Sequence, residues 1–485
     1  LKELALACGI DIGTSAIKAV VVNPYGEIKR AYHQSYQPAI SEGGTHELII
    51  NDVLKALKNV WNSIHTEHQI GVIGLGSAMH SLILLGENYQ PLTNCITWAD
   101  QRSSKIANEL SKSLLGKEIY QLTGTPIHAM TPLCKIKWFQ VNQVEVFGQA
   151  QYFVGIKSYL IHLFSGQLVQ DYSLASATGM LNRFNLDWEE KCLNYCGINK
   201  EQLPRLVDTN HQINFSKKVK LGHEVPVIIG ASDGCLANLD SYSLNQDCST
   251  MTIGTSAAIR KTVPFNPKVL TGNVFCYYLD KRLRIVGGPS NSGGGVIDYF
   301  IRLLGYAGPK DFFYDIKNVQ PGAKGLLYLP WLYGERAPIW DAGISSSFIG
   351  IKSHHTRAHM AKAVMEGIAY NLKWIMQELE ESTKKPIDEI KLSGGLSSSA
   401  IAAQGIADIL GKQIFVTQKE DSSARGAAII GMHAMALIDD YALPFSSDQQ
   451  IMRYHPQEHT AELHNNRLGI FKALHSAMKN YLHKL

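Results

Sequence analysis

Asp11-Ile12-Gly13-Thr14-Ser15 closes one apolar run, Leu4–Ile12, and opens directly onto another, Ile17–Val22. Two apolar runs of strand length joined by so short a glycine-bearing link predict a β-hairpin. The chain repeats the device. Ile12-Gly13-Thr14-Ser15 recurs as Ile253-Gly254-Thr255-Ser256, about half of the 485-residue chain further on, between the apolar runs Thr250–Ile253 and Ala257–Thr262. An echo at half-length in the same context predicts two similarly built lobes. Their boundary is expected near 240–250, giving units 1–245 and 246–485.

Working outward, Asn23-Pro24-Tyr25-Gly26 is a turn into a third strand. A helix is predicted near 51–67, capped by Asn51 or Asp52. Ile70–Leu75, Ser81–Leu85 and Val225–Ile229 read as strands, and 101–205 as mostly helical. In the second half, Val274–Leu279, Leu283–Val286, Ile390–Leu392 and Ile414–Val416 read as strands. Helices are expected near 356–382, 399–410 and 423–436. Strands mixed with helices throughout imply α/β sheets covered by helices.

Hydrophobic residues make up 45% and charged ones 18%, a globular composition that argues against disorder. The net charge of +4 is spread without long runs, which argues against a dedicated nucleic-acid or acidic-membrane binder. No apolar run reaches the roughly 20 residues of a membrane span, and no secretory segment is seen, so the chain reads as cytoplasmic. Of the eight cysteines only Cys192 and Cys196 are close in sequence, which fits neither a zinc framework nor a disulfide scaffold.

Gly13-Thr14-Ser15 has the chemistry of a phosphate loop: close backbone approach, amide donors and hydroxyls. Asp11 before it suits a magnesium ion, and Lys18 adds positive charge. Gly287–Gly295 and Ser393–Ser399 add two more glycine-rich stretches, each before a helix, where phosphate is favoured. Gly230-x-Ser232-x-Gly234 fits a nucleophile elbow after a strand, so a serine hydrolase using Ser232 competes with a role for Asp233 as general base. Met79-His80, Trp98, Asp100 and Arg102 form a polar and aromatic set near strand ends, where α/β folds place ligands. His355 and His359 lack a third partner, which disfavours a metal site.

Together these residues resemble the FGGY family of carbohydrate kinases along nearly the whole chain. Asp11-Ile12-Gly13-Thr14-Ser15 is similar to the family's first phosphate loop. Met130-x-Pro132-x-x-Lys135-Ile136-x-Trp138-Phe139 resembles its first signature, from which Val141 departs. Ser346-x-Phe348-x-Gly350-Ile351, with His359-Met360-x-x-Ala363-Val364-Met365-Glu366, resembles its second. The resemblance implies two actin- and hexokinase-like (ribonuclease H-like) lobes, with a sugar held mainly by the first and ATP mainly by the second. It implies Asp233 as base, with Asp11 and Asp233 at Mg2+. It implies nucleotide contacts at Thr14, Ser15, Lys18, Gly254, Thr255, Gly294, Asp298, Gly395 and Ser399. On the sugar side it implies Met79, His80, Trp98, Asp100, His128 and Asp233.

Within the family, the runs Gly230–Asn238 and Gly334–Asp341, and His128-x-Met130, are most similar to gluconate kinases. That implies ATP-dependent phosphorylation of the terminal hydroxyl of D-gluconate, a sugar acid, and a homodimer is common in the family. Xylulose kinases share Met79-His80, and a xylulose or other sugar kinase of the same family is the alternative; Ser81 stands where a glycine is common. A serine hydrolase and a non-catalytic actin-like ATP-binding protein are the alternatives of other classes. The cation for a substrate carboxylate is open among Arg102, His80, His128 and Arg336.

Overall fold

Both Gly-Thr-Ser links join hairpins in the computed structural model, which describes residues 6–41, 43–215, 225–242, 248–272, 274–417, 421–441 and 451–482. In the first half β1 (Leu6–Ile12) pairs antiparallel with β2 (Ala16–Val22), Ile12 opposite Ile17. β2 pairs antiparallel with β3 (Ile28–Ser35). β4 (Ile70–Ser77) lies parallel to β1, and β5 (Val227–Ser232) parallel to β4. The order is β5-β4-β1-β2-β3, with Gln212–Ile213 outside β5.

The second half repeats this plan. β6 (Ser249–Ile253) pairs antiparallel with β7 (Ala257–Val263), Ile253 opposite Ala257. β8 (Phe275–Tyr278) and β9 (Arg284–Ser290) extend the sheet beyond β7. β10 (Glu389–Ser393) lies parallel to β6, and β11 (Gln413–Thr417) parallel to β10, with β12 (Ile451–Tyr454) at the edge. Gly287–Ser290, expected in a turn, is the end of β9. These residues pair with β7, which places Gly287 opposite Arg260.

Each sheet is covered by helices. α1 (Ile50–Glu67) buries Val53, Leu57, Val60, Trp61 and Ile64, a helical-period stripe, on the first sheet. Its cap is neither Asn51 nor Asp52: Ile49 holds that position without a side-chain bond, and Asp52 lies in the first turn, where the helix dipole favours an anion. Segment 101–205 is mostly helical, as expected, with short strands such as Tyr152–Val154, which pairs with Ile83–Leu85. All eight cysteines are buried and free. No helix among the described residues is long and apolar enough to cross a membrane.

Helices wedged between the sheets bring the halves together. α2 (Asp233–Tyr242) follows β5 and packs on β4 and β5 of the first sheet and on β6 and β7 of the second. The second half also carries α3 (Gly294–Leu303), α4 (Arg357–Thr383), α5 (Ala400–Leu410) and α6 (Ser422–Ala434). α6 belongs to the second half of the sequence, yet it seats on β1, β2 and β4 and against α2. The contact is close because Gly9 has no side chain; a Cβ there would lie 1.8 Å from the Ala424 carbonyl oxygen. Asp240 of α2 ion-pairs Arg425 of α6 and, at 3.5 Å, Lys391 of β10, so one buried carboxylate ties both helices to the second sheet. The boundary expected at 245/246 lies outside the described residues.

Candidate active site

The site forms where the parallel strands end and the wedged helices begin. β5 carries a bulge between Ile228 and Ala231, centred on Gly230 at φ +66°. A Cβ at Gly230 would stand 1.8 Å from the Leu75 carbonyl oxygen, so the bulge needs glycine. Bulges re-aim the residues beyond them, and this one delivers Asp233 to the first position of α2. Beneath the bulge, Lys157 donates to the carbonyls of Ile229 (2.8 Å) and Ala231 (3.1 Å) and pairs with buried Asp171 at 2.8 Å.

Asp233 faces Asp11, which is buried near the end of β1. Burial and the charge of Asp11 push the Asp233 carboxyl up to about 7, against the opposing pull of the Gly234 and Met79 amides and of Arg260. Burial also raises Asp11, although Ser423, Lys18 and Lys157 act in the opposite sense. Ser423 Oγ donates to Asp11 Oδ2 at 2.6 Å, whereas Asp11 Oδ1 is buried without a hydrogen bond. Two hard carboxylates, one with an orphaned oxygen, fit a magnesium ion completed by water or phosphate oxygens.

A cavity of about 920 Å³ opens beside this pair, lined by Lys18, Thr252, Arg260, Gly395, Ser398 and Ser423. Lys18 pairs with Asp421 at 3.3 Å at its rim. Thr14 and Ser15 form the tip of the first hairpin; the Gly13 amide donates to Ala16 O, and Tyr36 holds the loop from behind. The second hairpin is backed by α3, whose Gly294 and Gly295 amides donate to the carbonyls of Gly254 (2.7 Å) and Thr255 (3.0 Å). The Gly294 amide is thus already used. Asp298 is exposed on α3, Gly395 is exposed, and Ser399 accepts from the Ala402 amide as the cap of α5.

On the other side of Asp233 lies an aromatic wall. Met79 reaches toward Gly234; a Cβ at that glycine would meet its Cε at 2.8 Å. His80 is buried at φ +66° and donates from Nδ1 to Ala177 O at 2.7 Å. Lys135, of the first signature stretch, fixes it by donating to His80 O (2.6 Å) and Thr97 O (2.7 Å). His128 packs edge-on to Trp340 at 5.3 Å. Burial lowers both His80 and His128 to about 3, with Lys135 and Arg336 adding to the shift, so both rings are neutral at pH 7. The Asp100 carboxylate is fully engaged by Arg102 and the His46 amide, and Arg102 also binds Glu47 at 2.6 Å.

Several groups here escaped the sequence. Arg260 and Tyr277 come from the second half, as do Arg336, one of the four cations weighed from the sequence, and Trp340, which packs on His128, so the wall is not built by the first half alone. Arg260 carried a signal, since it and Lys261 are charges inside the otherwise largely apolar strand Ala257–Val263, as did Lys157 inside an apolar helix. The elbow reading of Ser232 is corrected. The residue is fully buried at the end of β5, and its hydroxyl lies 3.1 Å from Ser173 Oγ; no histidine hydrogen-bonds to it among the described residues. His359 Nδ1 accepts from the Thr356 amide at 3.2 Å at the start of α4.

Comparison with known proteins agrees with this geometry. Residues 6–239 match the N-terminal domain, and 250–435 the C-terminal domain, of the FGGY family of carbohydrate kinases. The gluconokinase of Bacillus subtilis is 35% identical over 97% of this chain and 96% of its own. The gluconate kinase structure from Lactobacillus acidophilus superposes with a TM-score of 0.92 at 32% identity, covering 98% of each chain. The ligand-bound xylulose kinase from Lactobacillus acidophilus superposes with a TM-score of 0.93 at 31% identity, covering 99% of this chain and 100% of that one. The chain belongs to the FGGY family of carbohydrate kinases and is a phosphotransferase acting on a sugar hydroxyl, with two actin/hexokinase-like lobes.

Proposed function

We propose that the enzyme transfers the γ-phosphoryl group of ATP to the terminal hydroxyl of D-gluconate, as a cytoplasmic gluconokinase. The observation that carries the mechanism is the Asp233–Asp11 pair at the head of α2, between the two hairpins. Asp233, held near neutrality, is matched to a general base at physiological pH. It takes the proton of the attacking hydroxyl as that oxygen bonds to the γ-phosphorus. The bond from the γ-phosphorus to the β–γ bridging oxygen breaks, and ADP leaves. The N-termini of α2 and α6 both point at this place and favour phosphate charge. Asp11 and Asp233 are the residues that would hold magnesium, which when bound neutralises charge on the phosphates.

The gluconate reading rests on the gluconokinase relatives and on the cationic far side of the sugar wall. Xylulose is the second reading, favoured by the similar xylulose kinase structure. Coupled ADP release across a panel of sugars and sugar acids tests the choice. Gluconate is expected to show the highest kcat/KM, and a higher value for xylulose overturns the substrate while leaving the kinase.

A further inference from the structure

Two arginines of the second half stand around Asp233, Arg260 in the lining of the cavity and close to Asp233, Arg336 against the aromatic wall, and neither forms an ion pair among the described residues. Arg260 extends from β7 across the start of α2. Its guanidinium stands 3.5 Å from where a Gly234 Cβ would be, and its buried Nε has no hydrogen bond. Arg336 is held by neutral acceptors only, Nε to Asn291 Oδ1 at 2.8 Å and Nη2 to Ser290 O at 3.1 Å. It lies 5.7 Å from the Trp98 ring centroid. The adjacent Glu335 acts on Arg336 through its charge but takes no hydrogen bond from the guanidinium: its oxygens accept from Ser290, Ser292, Asn291, Asn371 and the Arg336 amide. The buried Tyr277 hydroxyl also has no hydrogen bond, and its ring meets His80 edge-on at 6.3 Å. Arg260 and Arg336 are close enough to repel one another, and both act on Tyr277.

Two neighbouring, partly buried guanidiniums with an unused donor, beside an unpartnered tyrosine hydroxyl, are suited to take a further anion. The other candidate cations are committed elsewhere: Arg102 to two carboxylates, and the two histidines, being neutral, carry no charge. We infer that Arg260 and Arg336, with the Tyr277 hydroxyl, bind the carboxylate of a sugar-acid substrate and so set the preference for an acid over a neutral sugar. The inference rests on the sugar-acid reading of the substrate. A planar guanidinium fork suits a carboxylate, and the substrate chain would then bridge Asp233 and the second-lobe arginines. The same donors suit a phosphoryl oxygen, so the test must separate the two anions.

The test compares D-gluconate with D-gluconamide, the same chain without the charge, on the full-length enzyme. Wild type is expected to favour gluconate. Arg260→Gln and Arg336→Gln should each lower kcat/KM for gluconate by roughly 10²-fold, mainly through KM, and collapse the gluconate-to-gluconamide ratio. Arg336→Lys, which keeps charge but not the fork, should fall between, and guards against misfolding of the glutamine variants. Gluconate should raise the melting temperature of wild type but not of either glutamine variant. Equal losses on gluconate and gluconamide would assign the arginines to the transferring phosphoryl group and overturn the inference. An unchanged ratio in folded variants would overturn it as well. Wild type that turns over xylulose but not gluconate would instead remove the underlying substrate reading.

Discussion

The two Gly-Thr-Ser hairpins share a backbone plan and differ in what surrounds it. The position two residues before the glycine is Asp11 in the first hairpin and Thr252 in the second. Asp11 is buried, faces Asp233 and keeps one oxygen unpartnered; Thr252 shares a hydrogen bond with Ser393 at 3.0 Å. The first loop is backed by Tyr36, the second by the amides of α3. One duplicated device has thus become a charged, metal-suited end and a neutral end. A symmetric frame can hold a polar substrate such as ATP in one direction only if its copies diverge in this way.

The largest expected effect breaks that asymmetry at its charged end. Asp233→Asn should leave the fold intact and lower kcat by roughly 10²–10⁴-fold, the usual worth of a general base. Asp11→Asn should cause a loss of the same order, whereas Thr252→Val, its counterpart in the second hairpin, should cost less than tenfold. Steady-state ADP release checks all three, and comparable losses at Asp11 and Thr252 would mean that the copies are equivalent. Ser232→Ala, buried against Ser173, should change turnover least.

A smaller effect concerns how the two ends act together. The phosphate chain is gripped from both sides only if both hairpins engage it. Trp98 and Arg336 already meet across the cleft, and Ser423 of α6 touches Asp11. Binding of gluconate should therefore favour the state that receives nucleotide, with coupling of roughly 1–3 kcal/mol. Calorimetric titration of a non-hydrolysable ATP analogue, with and without gluconate, measures it. Equal affinities would assign independent sites to the two lobes.

The hairpins were legible because a strand, a glycine link and a strand are local, and their repetition is visible by eye. The bulge at Gly230 was not. It decides that Ser232 points into the core and Asp233 into the cleft, although both sit in one plausible elbow. Arg260 and Tyr277 lie on strands whose register with β9 is a long-range fact, so their convergence on His80 and Asp233 leaves only a faint local trace, the charge in an apolar run. Asp100 stands in the sequence as a sugar-side contact, yet Arg102, two residues on, folds back and saturates it. The docking of α6 on the opposite lobe depends on Gly9 and Ala424, which are more than 400 residues apart.

The smallest effect sharpens a second contrast, between the uncharged imidazoles of the first-lobe wall and the guanidiniums of the second-lobe face. His80 is lowered from its ordinary 6.5 to about 3 by burial, with Lys135 adding to the shift. The unfolded chain therefore binds a proton below pH 6.5 that the native ring refuses, and linkage sets the sign: stability is complete above 6.5 and is lost as pH falls toward 3. From pH 6.5 to 5.5 this single ring should remove about 1 kcal/mol of stability. Urea melts at those two pH values measure the change, and His80→Asn should reduce it by about that amount. The variant should also weaken sugar binding, since His80 and the Lys135 bond to its carbonyl shape the wall. An unaltered pH slope in His80→Asn would mean that the ring takes its proton in the folded protein. The His80 ring would then be a cation at the wall as well, and the arginines of the second lobe would no longer be what distinguishes an acid from a neutral sugar.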